Sequence, residues 1–98
     1  MSGYQPLFQA ADQFIRLANE LAQADPNGNV GAALRFAAAR YSAFEAANAT
    51  GDLSADKARF LESIGEDFRL MLGHNLDDYI RHLAEQGKPS GHDLHRRV

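Results

Sequence analysis

Apolar residues recur every three or four positions along most of the chain, and the pattern divides into three blocks separated by short polar breaks. That spacing follows the turn of an amphipathic helix and nowhere adopts the two-residue alternation of a strand. In the first block, Pro6 to Ala24, the residues Leu7, Phe8, Ala11, Phe14, Ile15, Ala18, Leu21 and Ala22 form one broad stripe. Pro6 suits a first turn, where a missing N–H costs nothing, and Asp25-Pro26-Asn27-Gly28 is a stop-and-turn sequence. The second block, Val30 to Ala49, is apolar around most of its circumference, with Arg35, Ser42 and Glu45 gathered on one side, and is expected to be the central helix. The third block, Ser54 to Gln86, follows Ala-Thr-Gly-Asp, with Ser54 as the expected N-cap and Asp56 in the first turn. Its stripe of Leu61, Ile64, Phe68, Met71, Leu72, Asn75, Leu76, Tyr79 and Leu83 keeps one phase throughout.

These blocks predict an all-α fold, a three-helix antiparallel bundle of unequal helices. At about 1.5 Å of rise per residue the first two helices span roughly 28–30 Å and the third nearly 50 Å. With short connections, the distal part of the third helix extends past its neighbours and carries Leu76, Tyr79, Ile80 and Leu83 with it. Those four residues are the expected interaction surface. Self-association through the third helix is the expected way to cover them, and any further protein partner is unknown. Gly73 leaves a second reading open, in which the helix stops there and Asn75 caps a new one, with Asp78 completing a cap-like box. The unbroken apolar phase argues for continuity. Gly-Lys-Pro-Ser-Gly then ends the helix, so 1–86 reads as a single helical domain and 87–98 as a disordered tail.

The chain has 98 residues, 45% of them apolar, which suffices for one small core. Domains of this size bury only about two-thirds of their extended surface, so oligomerisation is a common supplement. The absence of cysteine excludes a disulfide framework, a thiolate zinc site and a cysteine nucleophile. The net charge is −3, while Lys88, Arg96 and Arg97 outnumber Asp93 in the tail, so the body is the more acidic part and offers no nucleic-acid surface. The polar faces of the first and third helices are acidic or mixed, unlike those of a membrane-surface helix. Neither a secretory leader nor about 18 uninterrupted apolar residues is visible, which leads us to expect a cytoplasmic protein without a membrane partner.

Three stretches carry a resemblance: Ala-Asp-Gln-Phe-Ile-Arg-Leu-Ala-Asn-Glu (11–20), Ala-Ala-Ala-Arg-Tyr-Ser-Ala-Phe (37–44) and Met-Leu-Gly-His-Asn-Leu-Asp-Asp-Tyr-Ile (71–80). Together they resemble a small bacterial family, domain of unknown function 3144, and Asn-Leu-Asp-Asp-Tyr-Ile is the most specific part. Gly73 and His74 depart from the helix-favouring residues expected there. The resemblance implies a small helical bacterial protein and supplies no activity, since none is assigned to the family.

Few residues suggest chemistry. Arg40 falls on the apolar side of the second helix, where a guanidinium needs a carboxylate, helix-end carbonyls or water, and Asp12 and Asp67 are the expected partners. Asn75 lies within the stripe of the third helix, where a buried amide could fix register, cap a helix or touch a ligand; Asn19 and Asn48 sit at the margins of their stripes. His74, Asp78 and His82 follow one another at four-residue steps. Either neighbouring pair could chelate a metal, but the two histidines lie about 12 Å apart along the axis, and surface pairing along the helix is the simpler reading. No Glu-x-x-His and no Gly-x-Ser-x-Gly occurs. The leading expectation is therefore a non-enzymatic, homodimeric interaction protein with no cofactor. The alternative is a small-ligand or metal-binding protein or enzyme, with its site near Arg40 and Asn75 or at Asp78 and His82.

Overall fold

The computed structural model describes residues 4–87. Three helices and no strand make up 88% of them: α1 (Tyr4–Ala24), α2 (Val30–Ala49) and α3 (Leu53–Glu85). The helix α1 begins two residues ahead of Pro6, which still falls in the first turn. Between α1 and α2 the chain reverses through a turn closed by the Gly28 N–H on the Asp25 carbonyl at 2.9 Å. A Cβ at Gly28 would lie 2.7 Å from Asp25 Oδ2 and 3.2 Å from the Asp25 carbonyl oxygen, so a larger residue there would make the Asp25 side chain swing aside. The Asn29 carbonyl then accepts from the Ala33 N–H at 2.8 Å, opening α2.

The start of α3 corrects one expectation. Asp52, not Ser54, is the N-cap: its Oδ1 accepts from the Ala55 N–H at 3.1 Å. Ser54 already lies inside the first turn, two residues past the cap position. At Gly73 the reading of one continuous helix holds. The helix runs unbroken for 33 residues through both Gly65 and Gly73, so Asn75 caps nothing. An interior glycine costs a helix only about 1 kcal/mol, too little to interrupt so long a hydrogen-bonded run. The stop comes at Gly87, whose φ of 70° is the left-handed conformation that glycine tolerates. Apart from Gly87, the segment read as a tail lies outside the described residues.

Contacts gather the chain into two compact units, one running up to Arg40 and the other starting at Tyr41. In the first unit the less exposed positions of α1 are Ile15, Ala18, Asn19 and Ala22, a single row at helical spacing, with Val30 beginning α2. Small residues dominate that row and allow close backbone approach. In the second unit, Ser42 and the buried Ala46 lie one turn apart on α2, with Thr50 at the next step and Asp56 and Phe60 as the less exposed residues of early α3. Of the polar residues gathered on one side of α2, Ser42 is thus less exposed, while Arg35 and Glu45 stay exposed. A serine and an alanine admit a neighbouring helix closely, whereas Phe36, Tyr41 and Phe44 are left exposed, the Tyr41 and Phe44 rings 5.7 Å apart.

Candidate association surface

The corner between α2 and α3 sets the phase of the long helix. The Thr50 hydroxyl accepts from the Asp52 N–H at 3.1 Å and donates to the Asp56 carboxylate. Asp56 also faces Arg59 at 3.4 Å. The Thr50 hydrogen bond, reinforced by the Arg59 charge against a small burial penalty, holds the Asp56 carboxyl below the ordinary carboxylate value. The Arg59 guanidinium lies 4.8 Å from the centre of the Phe60 ring. Asp56 and Phe60, one turn apart, therefore mark the side of α3 at the corner.

The row Leu61, Phe68, Leu72, Leu76 and Tyr79 lies on another side of α3, and the apolar residues of the helix are exposed along most of its length. From Leu61 through Ile64, Phe68, Met71, Leu72 and Leu76 to Tyr79 and Ile80, these side chains expose between 39% and 66% of their surface, and Leu83 is half-buried. Of the four distal residues expected to lie uncovered, Leu76, Tyr79 and Ile80 are exposed, and so are the proximal ones that the other helices were expected to cover. The signal was present in the stripe's single phase from Leu61 to Leu83. Polar residues of α3 pair locally: Arg69 with Glu66 at 3.1 Å, and Arg81 with Asp78. Gly65 and Gly73 stand in open space, where an added Cβ would meet no atom within 4 Å.

The other candidate residues lie apart from one another. Asn75 is exposed and its Nδ2 donates to the Met71 carbonyl of its own helix at 2.8 Å; Asn48 does the same to Phe44 at 3.2 Å. Asn19 is half-buried on α1. Arg40 is exposed and enters no ion pair among the described residues. No polar side chain among the described residues is buried, because the faces on which these groups sit are not covered by the chain. Of the His74, Asp78 and His82 series, Asp78 is engaged by Arg81, and His82 Nε2 lies 2.9 Å from Gln86 Nε2. No group of three or more metal-ligating side chains among the described residues could hold an ion.

A feature without a sequence signal is an apolar groove of about 510 Å³ in the first unit. Phe14, Leu17 and Leu21 of α1 and Val30, Leu34 and Ala37 of α2 line it, with Asp25 and Asn29 at the turn. Ala18, from the less exposed row of α1, also lines it, so the groove runs along the edge of that row. No helix among the described residues is long and apolar enough to cross a membrane. No curated protein and no solved structure matches the chain. The family model described as "Protein of unknown function (DUF3144)" matches residues 7–80, a span holding the apolar stripes of α1 and α2 and that of α3 as far as Ile80, and the chain belongs to that family.

Proposed function

We propose that the protein is a non-enzymatic helical interaction protein that associates with a second copy of itself through α3. The observation that carries this reading is the continuous exposure of the α3 stripe from Leu61 to Ile80. About half of each large side chain on this face is still in water, apolar area of the kind that an interface of ~800 Å² per partner buries. Exposed apolar area of this extent marks association surfaces on small domains. Ligand or metal chemistry has less support, since Asp78 is paired with Arg81 and the Asn75 and Asn48 amides are satisfied by their own helices.

Light scattering across micromolar concentrations tests the reading. The expected mass is twice that of one chain, and Ile80→Asp is expected to return it to one, because a carboxylate on the face would be desolvated without a partner. Wild-type protein that stays monomeric over the whole range refutes self-association.

A further inference from the structure

Given that α3 associates with itself, we infer that the two helices pair antiparallel, about a two-fold axis through Leu72, with Gly65 of each copy receiving Tyr79 of the other. The inference rests on the self-association reading and specifies its geometry.

The spacing of the exposed stripe carries the argument. Counting outward from Leu72, the chain meets Phe68, Gly65 and Leu61 in one direction and Leu76, Tyr79 and Leu83 in the other, at the same steps of four, three and four residues. At 100° per residue all seven fall within about 40° of a common direction on the helix. A stripe whose spacing is the same in both directions can meet its own copy head to tail with every layer aligned. Leu72 then faces Leu72, Phe68 faces Leu76, and Leu61 faces Leu83.

Size decides between the two orientations. In an antiparallel pair, Gly65 lies opposite Tyr79, so the missing side chain of one copy accommodates the largest side chain of the other. A parallel pair stacks Gly65 on Gly65 and Tyr79 on Tyr79, leaving one layer void and another crowded, and both defects are costly in a packed interface. Among the described residues nothing occupies the space beside Gly65: its helical backbone suits any residue and nothing lies within 4 Å of a would-be Cβ. A partner side chain entering that space explains why it is empty. Within this unit the α2 corner does not obstruct the pairing, since Asp56 and Phe60 lie on another side of α3 from these seven residues.

Site-specific cross-linking tests the register, because the native chain has no cysteine to compete. Single variants Leu72→Cys, Leu61→Cys and Leu83→Cys are treated with a short bis-maleimide at concentrations where the parent chain is dimeric. In the antiparallel pair, Leu61 of one copy lies about 33 Å along the axis from Leu61 of the other. Leu72→Cys should therefore link to itself and Leu61→Cys should not, while a mixture of Leu61→Cys with Leu83→Cys should give the mixed product by mass spectrometry. Self-linking of Leu61→Cys would overturn the antiparallel register, and so would a dimer in which none of the three links. A monomeric parent chain would refute the self-association reading itself, which keeps the two failures distinct. As an independent arm, Gly65→Leu should weaken dimerisation by about tenfold or more by filling the space for Tyr79, without loss of helical content. Adding Tyr79→Ala should recover part of that loss, and no recovery would count against the Gly65–Tyr79 layer.

Discussion

Gly73→Ala tests whether α3 is one helix. Gly73 lies twenty residues into the 33-residue α3, on backbone of negative φ that alanine adopts without strain. An added methyl group meets no heavy atom within 4 Å, so neither a clash nor a new apolar contact enters the balance. What remains is the backbone freedom that glycine keeps in the unfolded chain and loses in the helix, about 0.5–1 kcal/mol relative to alanine. In a domain near 100 residues each kcal/mol moves the midpoint by about 4–8 °C, so the variant should melt about 2–8 °C higher. Circular dichroism melts should be run at one fixed protein concentration, because association couples stability to concentration. An unchanged or lower midpoint would refute the reasoning. It would mean that the helix breaks at Gly73 in a conformation alanine resists, or that another chain's backbone fills the open space.

Two further outcomes follow from the corner before α3. Asp52→Ala should cost about 1 kcal/mol through loss of the cap, whereas Ser54→Ala should stay within a few tenths, and urea titration of the two variants separates them. Asp56 has a folded-state pKa below its ordinary value, so the stability it contributes is fully present above that value and is lost as pH falls through the folded value. Asp56→Asn should therefore flatten the loss of stability below about pH 4, and an acid limb identical to wild type would refute the role given to Thr50 and Arg59.

The helices were legible in the sequence because what makes them is local. A 3.6-residue apolar period, Pro26 and Gly28 in one break and Gly51 in the next define three segments to within two residues at each end, whatever packs against them. The cap was the local error, and it arose between two residues of similar capping strength, Asp52 and Ser54, which only the path of the chain through Thr50 and Gly51 distinguishes. Which faces become covered was not legible. The helix α2 is apolar on nearly every side, so its sequence ranks no face above another, and contacts distant in sequence settled on the Ser42 and Ala46 row, where small side chains let helices approach. The same dependence explains Arg40 and the proximal half of α3. Sequence placed them on apolar sides and supplied imagined neighbours, but periodicity states only that a face is apolar. Tertiary contact decides whether the chain itself covers that face or leaves it for another molecule, because burial depends on what lies opposite and not on the helix that bears the residue.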